Sequence, residues 1–362
     1  MTPRERWLAA IRCQPVDRFP FWPKLNGAYA RMQQAPFREM KAEAIHDWVG
    51  SDKHIGISGC VREIRKETSV EASRDNGTQR TFYETPSGRT ELVNRFDSAS
   101  QSWHPTKFPV QSLDDLKVMT EYYEDCQVEF DEQGVEQARN RVREIGEDAI
   151  TTNGIGTSPI MQWVQWIAGV ENAHYLLIDH PGEVEALFDA MYRPLRRKAE
   201  ILADKSPCDI FYLVENTSTT LISPEQYRRY SYPHVMECAR IVSDAGRKLV
   251  LHMCGHLKTI LPDLANLPAA AFEAFTSPPV GNTTLLDGRT GCPDKCLIGG
   301  TNAALWTRSA EEIIERIGTD LDELPHHRGI VVTSAGVMPP ICSPETIKEV
   351  SEWLRSYEPR QR

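Results

Sequence analysis

The chain has 362 residues, 40% of them hydrophobic and 25% charged, with a formal net charge of −10 at pH 7. This balance argues against a nucleic-acid surface, which needs clustered Lys and Arg. Its apolar runs fall far short of the roughly 20 residues of a membrane span, and the N-terminus lacks the apolar stretch of a secretory signal. Nine cysteines in such a chain suit reduced thiols. We therefore expect a cytoplasmic globular protein with small-molecule and protein partners.

The first 110 residues predict an extension made of a helix and β-hairpins. Residues 3–13 are typical of a helix, and the prolines of QPVDRFPFWP predict an extended segment after it. VREIRKETSVEA, QRTFYETP and RTELVNRF have the alternating, β-branched and aromatic content of antiparallel strands. We expect residues 1–110 to pack on a barrel formed by residues 111–362, the two together making a single domain.

Strands and helices alternate in the rest of the chain. A helix at about 131–145 precedes the strand AITTNG, SPIMQWVQWIAG has a helical pattern, and helices at about 170–178 and 181–204 precede the strand DIFYLVEN. SPEQYRRYSYPHVMECARIVSDAG predicts a long helix with a Ser-Pro-Glu start and Gly246 at its end.

The last four predicted strands are KLVLHMCG, AAFEAF, CLIGGTN and GIVVTSAG, with helices between them. This repetition, without a GxGxxG opening, favours a closed barrel over a dinucleotide-binding sheet. The predicted fold is therefore α/β, a (β/α)8 TIM barrel with an N-terminal helical and β-hairpin extension.

A histidine and two cysteines follow predicted strands. His252 and Cys254 come at the end of KLVL, where i, i+2 spacing puts both side chains on the same side of an extended segment. Such residues are usually plain core. In a closed barrel, however, strand ends converge on one opening, so Cys342 after the last strand can meet them. One imidazole and two thiolates make an incomplete tetrahedral zinc site, open for a reactant.

Several segments resemble the uroporphyrinogen decarboxylase superfamily in order and spacing: TPRERWLAAIRCQPVDRFPFWP, LISPEQYRRYSYPH, LHMCGHLKTILPDL, LIGGTN and PPICSPETIKEV. The similarity spans nearly the whole chain, and His-x-Cys with a distant Cys before a Pro-Glu helix start is its specific part. Within the superfamily the chain most resembles the corrinoid-dependent methyltransferases of the methylcobalamin:coenzyme M methyltransferase type. The resemblance implies a (β/α)8 barrel with zinc on His252, Cys254 and Cys342.

The same resemblance implies methyl transfer between cobalamin and a small substrate, which is a methoxy-aromatic compound, another methyl donor or a thiol. Zinc suits methyl transfer in either direction. It lowers the pKa of a bound thiol that accepts the methyl group, and it withdraws electron density from the atom that the methyl group leaves. The chain has no Asp-x-His-x-x-Gly element of cobalamin-binding domains. We therefore expect the cobalamin to arrive on a separate corrinoid protein.

Two alternatives stay open. True uroporphyrinogen decarboxylases resemble one another in an arginine-rich N-terminal segment that grips a polycarboxylate, whereas this chain has FPFWPKLNGAYARMQ. A lyase that acts on a smaller carboxylate is therefore one alternative, and a non-catalytic corrinoid- or thiol-binding protein is the other.

Further candidate site residues lie at predicted strand ends or in helices. Glu215 and Glu273 share the rim with the zinc ligands and are the catalytic candidates, as a fourth ligand or as groups that orient one. A salt bridge or a helix cap is the alternative for each. The substrate-binding candidates, with turn or core roles as their alternatives, are Asn153, Asn302, Trp163, Trp166 and Trp22.

Overall fold

The structure, a computed structural model, describes residues 1–360, and its strands form three sheets. In chain order the strands are β1 (Phe21–Trp22), β2 (Lys53–Gly56), β3 (Val61–Ile64), β4 (Ser69–Asp75), β5 (Thr78–Thr85), β6 (Gly88–Asp97), β7 (Ser102–Lys107), β8 (Gln127–Phe130), β9 (Ala149–Gly156), β10 (Ile210–Val214), β11 (Leu249–His252), β12 (Ala271–Phe275), β13 (Cys296–Gly300) and β14 (Ile330–Thr333).

The largest sheet is parallel and has the strand order β1-β14-β13-β12-β11-β10-β9-β2. Its two end strands meet through Asp52, whose N–H donates to the Phe21 carbonyl oxygen at 2.7 Å. The Asp52 carboxylate also accepts a hydrogen bond from the Phe21 N–H at 3.0 Å. The eight strands, with helices between them, form the (β/α)8 barrel that the sequence predicts.

The segment between β2 and β9 carries the antiparallel structure. Strands β4, β5, β6 and β7 form a four-stranded sheet, and β3 pairs with β8. The hairpin extension is thus present, but β1 and β2 belong to the barrel although they precede residue 111, where the sequence analysis placed the start of the barrel. Strand β1 is only two residues long and lies in the proline-rich segment, where alternation of apolar and polar residues gives no strand signal.

The helices after residue 130 lie in the positions that the alternating pattern predicts, whereas those at Tyr29–Met32, Ala42–Val49 and Leu113–Glu124 were not predicted. The helices are α1 (Pro3–Ile11), α2 (Tyr29–Met32), α3 (Ala42–Val49), α4 (Leu113–Glu124), α5 (Glu132–Ile145), α6 (Pro159–Gln162), α7 (Val170–Asp179), α8 (Pro181–Lys205), α9 (Pro224–Gln226), α10 (Tyr232–Asp244), α11 (Leu261–Ala265), α12 (Leu285–Gly291), α13 (Ala310–Asp322) and α14 (Pro344–Ser356).

The long helix predicted around residue 230 starts and ends as expected. The Ser223 side chain caps α9, with proline at the first turn, and Gly246 adopts φ +71° after α10. Between α9 and α10 the helix widens into a π-helical turn at Tyr227–Ser231, which the sequence pattern does not indicate.

The barrel encloses its own core. Inward-facing residues such as Ile210, Val250 and Val331 form one cluster with Trp7, a fully buried side chain from α1. A second, larger cluster fills the space between the sheet and the helices. In residues 1–360, every helix is too short or too polar to cross a bilayer. Because Trp7 and the inward-facing residues fill the interior of the barrel from one end, the open space for an active site lies at the carboxyl ends of the strands.

Candidate functional site

A cavity of about 520 Å³ opens among the carboxyl ends of the barrel strands. Strands β1, β2, β10, β11 and β12 each contribute to its wall, together with the loop after β1 and helix α3. The polar and aromatic side chains that matter for its chemistry are Trp22, Lys24, His54, Tyr212, His252 and Glu273. This is the end of a (β/α)8 barrel at which active sites are built.

His252 and Glu273 lie opposite each other on the neighbouring strands β11 and β12. Glu273 Oε2 is hydrogen-bonded to His252 Nδ1, and Glu273 Oε1 accepts a hydrogen bond from Lys24 Nζ at 2.9 Å. A bulge after Glu273, with Ala274 at φ +57°, interrupts the pairing of β12 with β13 at this point. Both residues of the His252–Glu273 pair are predicted site residues at strand ends, and the structure brings them together.

Charge explains why this pair is stable although Glu273 is only 1% exposed. Burial raises the pKa of Glu273, but Lys24 and His252 outweigh burial and hold the pKa below its ordinary value. Burial lowers the pKa of His252, while the Glu273 carboxylate and the Cys254 thiol raise it to a net value of about 9. With Nδ1 engaged by Glu273, Nε2 is the ring atom left to exchange a proton or bind a ligand.

Cys254 lies in the loop after β11, next to His252, and its thiol is held by a neighbouring loop. The thiol is 3.5 Å from Asn216 Oδ1, and Asn216 Nδ2 donates to Gln165 Oε1 at 2.7 Å. Asn216 adopts φ +49°, which asparagine tolerates better than most residues. The Cys254 thiol therefore sits beside the imidazole in a fixed polar setting.

Glu215 is fully buried and lies behind this loop, away from the cavity wall. Its carboxylate accepts hydrogen bonds from the Ser158 N–H at 2.6 Å, from Ser158 Oγ at 2.5 Å and from Ser231 Oγ at 3.0 Å. Burial raises its pKa, and these three donors oppose the increase. The contacts join β10 to the loops around it, so Glu215 supports the turn that carries Asn216.

Cys342, the third predicted zinc ligand, is buried in the loop between β14 and α14. The Cys342 thiol contacts the Ser343 carbonyl oxygen at 3.9 Å, and the Cys342 carbonyl oxygen accepts a hydrogen bond from Tyr29 Oη at 2.7 Å. Burial raises the pKa of the Cys342 thiol to about 12. In residues 1–360, no three His, Cys, Asp or Glu side chains are grouped to hold a metal ion. The structure thus places His252 beside Cys254 but does not gather all three ligands.

The two asparagines predicted to bind substrate make internal contacts. Asn153 Nδ2 donates to Ser206 Oγ at 3.2 Å. Asn302 Nδ2 donates to Ser277 Oγ at 3.0 Å, while its Oδ1 accepts the Leu305 N–H at 3.0 Å. Neither asparagine lines the cavity. Asn302 stabilises the loop after β13, as loop asparagines usually do, whereas Asn153 lies within β9 and holds the segment that follows α8.

The three tryptophans have different environments. Trp22 lines the cavity. Trp163 is fully buried outside the barrel, and its Nε1–H donates to the Ala173 carbonyl oxygen at 3.1 Å. Trp166 is 39% exposed and lies apart from the cavity wall. The expected aromatic wall therefore consists of Trp22, joined by residues that the sequence analysis did not select.

Those missed residues are Lys24, His54 and Tyr212. His54 follows no recognisable motif, Tyr212 lies within an apolar strand, and Lys24 comes directly after a proline in the loop after β1. A signal was available for Tyr212 only: a polar or aromatic side chain two residues before the end of a barrel strand points into its opening. It could not be applied to β1 and β2, because those strands were not identified.

Comparisons with known proteins agree with this architecture. One solved structure that resembles the chain, a methyltransferase from Methanosarcina mazei, has a TM-score of 0.63 and 16% identity, with 98% of each chain covered. Two looser likenesses were also found. A putative vitamin-B12 independent methionine synthase from Listeria monocytogenes has a TM-score of 0.39 and 16% identity, with 61% of this chain and 66% of that chain covered. A D-psicose 3-epimerase has a TM-score of 0.35 and 12% identity, with 67% of this chain and 84% of that chain covered.

The search of curated proteins finds no match. The family model described as uroporphyrinogen decarboxylase (URO-D) matches residues 106–357, most of the chain. The chain therefore belongs to the uroporphyrinogen decarboxylase family.

Proposed function

We propose that this protein is a zinc-dependent methyltransferase that moves a methyl group between a small substrate and the cobalamin of a separate corrinoid protein. The observation that carries the proposal is the His252–Glu273 pair with the Cys254 thiol beside it, at the mouth of the barrel. An imidazole whose Nδ1 is held by a carboxylate is the usual arrangement of a metal-binding histidine. The shared fold of the Methanosarcina mazei methyltransferase is compatible with this chemistry.

The donor set suits zinc, with one condition. His252 Nε2 and Cys254 Sγ would bind the ion from adjacent positions, and Cys342 would be the third ligand. Because Cys342 is not grouped with His252 and Cys254, the loop between β14 and α14 has to adopt another conformation before all three side chains can bind one ion. When bound, zinc would act as a Lewis acid on the oxygen or sulfur atom of the substrate.

The chain's own residues position the reactants. Glu273, anchored by Lys24, fixes the orientation of the His252 ring. The Lys24 backbone is tied in turn to the loop after β14, since the Met338 N–H donates to its carbonyl oxygen at 2.9 Å. The site is thus assembled from three neighbouring parts of the barrel, and a substrate in the cavity lies next to His252.

A corrinoid partner requires an accessible surface around the cavity. Apolar side chains are exposed on the loops after β12 and β14, namely Val280, Val337 and Ile341, the last of which is 77% exposed. Exposed apolar groups at the rim of a site favour contact with another protein. We propose that the corrinoid protein docks on these loops.

The lyase alternative requires a grip on a carboxylate substrate. The lysines on the cavity wall are already paired: Lys24 with Glu273 at 2.9 Å, and Lys53 with Asp47 at 2.6 Å and Asp148 at 2.5 Å. A carboxylate would have to compete with these partners. The geometry therefore favours methyl transfer over decarboxylation.

Metal analysis and a turnover assay test the proposal. The purified protein is expected to contain zinc, to convert cob(I)alamin to methylcobalamin with a methoxy-arene, or to demethylate methylcobalamin with a thiol, as read from the cobalt absorption spectrum. Cys254→Ala should lose both zinc and transfer, whereas the control Cys126→Ala, a thiol remote from His252, should keep them. Decarboxylation of a small carboxylate without zinc would establish the lyase instead, and corrinoid or thiol binding without turnover would establish a binding protein.

A further inference from the structure

Two side chains on the cavity wall each carry a buried polar atom that lacks a hydrogen-bond partner. Tyr212 Oη and His54 Nε2 are both buried, and neither makes a hydrogen bond within residues 1–360. Tyr212 is 8% exposed, and both side chains line the cavity. A buried polar group without a partner costs free energy, which a ligand that satisfies it recovers.

The rings that carry these atoms are held in place by aromatic packing. The His54 ring stacks on Trp22, with centroids 4.2 Å apart and an interplanar angle of 16°. It meets Tyr212 edge-on at 5.1 Å and 89°, and Trp7 packs against it at 5.8 Å. Because these rings lie in a packed layer, the positions of the two polar atoms are set before any ligand enters.

The pair is uncharged at neutral pH. Burial lowers the pKa of His54 to about 4 and raises that of Tyr212 well above its ordinary value. A neutral imidazole offers one donor and one acceptor, and a phenol offers both functions. The Glu273 carboxylate contributes to the rise in the pKa of Tyr212, although Lys24 is paired with it. Because neither His54 nor Tyr212 carries a charge, the pair cannot neutralise an anion, whose burial without a counter-charge is costly. A hydroxyl group, which donates once and accepts twice, is complementary to such a pair.

We propose that His54 and Tyr212 form a hydroxyl-binding subsite, so that the substrate is an uncharged alcohol or phenol. The apolar part of the substrate contacts the Leu25 and Val214 side chains, which line the same cavity. The statement that this alcohol or phenol is the substrate of methyl transfer rests on the proposed function. The preference of the site for a hydroxyl group does not.

Calorimetric titration of the purified full-length protein tests the subsite with three probes: 2-methoxyphenol, anisole, which lacks the hydroxyl group, and 2-methoxybenzoate, which replaces it with a charge. Wild-type protein is expected to bind 2-methoxyphenol about tenfold more tightly than anisole, and 2-methoxybenzoate most weakly. Tyr212→Phe and His54→Phe, which keep the ring packing, should each remove most of this preference.

Tyr227→Phe is the matched control. Tyr227 Oη is also buried without a hydrogen bond in the described residues, but Tyr227 packs in the outer core, away from the cavity. The control should keep the wild-type preference. Equal affinities of wild-type protein for 2-methoxyphenol and anisole, tighter binding of 2-methoxybenzoate, or equal effects of Tyr212→Phe and Tyr227→Phe would each overturn the subsite.

The titration contains no cobalamin, so its result is independent of the reaction. A hydroxyl preference without methyl transfer would support the subsite and contradict the proposed function. Methyl transfer with equal affinities for 2-methoxyphenol and anisole would support the proposed function and refute the subsite.

Discussion

Replacing Glu273 with glutamine tests the electrostatic account of the site. The substitution keeps the shape of the side chain but removes the charge that Lys24 and His252 share. The rise in the pKa of His252 from 6.5 to about 9 corresponds to roughly 3.5 kcal/mol, at about 1.4 kcal/mol per pKa unit. Lys24, whose side chain is 10% exposed, would also be left without its carboxylate. Breaking a buried ion pair from one side destabilises a protein by about 3–5 kcal/mol.

We expect two results from metal-free protein. In Glu273→Gln the pKa of His252 should fall to its ordinary value or below, because burial is then opposed only by the Cys254 thiol. The free energy of unfolding should fall by about 3–5 kcal/mol at pH 6. Because the folded-state pKa of His252 is raised, its stabilising contribution is complete below pH 6.5 and is lost as the pH rises through about 9. The stability difference between wild type and variant should therefore shrink over that interval.

The assays are an NMR titration of labelled histidines and urea unfolding at several pH values. Glu43→Gln is the control, since Glu43 lines the same cavity but its side chain is paired with Arg141 at 3.6 Å. Glu43→Gln should leave the His252 titration unchanged. A His252 midpoint that stays near 9 in Glu273→Gln would refute the reasoning, because the raised pKa would then have another source.

Three further predictions concern stability. Asp52→Ala should lower the free energy of unfolding by about 3–5 kcal/mol in urea, because it leaves the Arg18 guanidinium without an ionic partner, removes one of the two carboxylates paired with the buried Arg6, and opens the junction of the barrel sheet. A loss below 1 kcal/mol would contradict this role. Burial lowers the pKa of His46 to about 4, so the contribution of neutral His46 to the free energy of unfolding is present above pH 6.5 and is lost as the pH falls through about 4. Between pH 7.5 and 4.5, wild-type protein should therefore lose up to roughly 3 kcal/mol more stability than His46→Gln. Parallel curves of stability against pH for the two proteins would argue against this. Trp163→Phe should lower the free energy of unfolding by about 1–2 kcal/mol, because it removes a buried hydrogen bond and ring volume. It should leave 2-methoxyphenol binding unchanged, and weaker binding in the calorimeter would contradict a role for Trp163 in the core alone.

Local patterns were enough to predict most of the barrel. Strands β10 to β14 are short apolar runs between turns, and the helices between them have caps that can be read from a few neighbouring residues. The π-helical turn at Tyr227–Ser231 could not be predicted in this way, because it lies inside a continuous helical pattern. Strand β1 was also missed, since two residues define a strand only through the β14 partner that they find.

The same distinction holds for the candidate site. His252 and Glu273 were selected because each ends a recognisable strand, and adjacent parallel strands carry such residues to the same rim. That Lys24 completes the pair depends on where the loop after β1 runs, which is decided by its contacts with the loop after β14. The hydroxyl-binding pair likewise brings together His54 and Tyr212, which are 158 positions apart in the chain.

The type of architecture and the nature of the groups at its open end could be predicted from the order of residues, because hydrophobic periodicity and side-chain chemistry are local properties. Which of those groups meet depends on how the chain folds. The cavity lies between β2 and β12, and its shape depends on how the eight strands close around Trp7 and Asp52. Distances between residues far apart in the chain are set by that closure, and no local pattern encodes them.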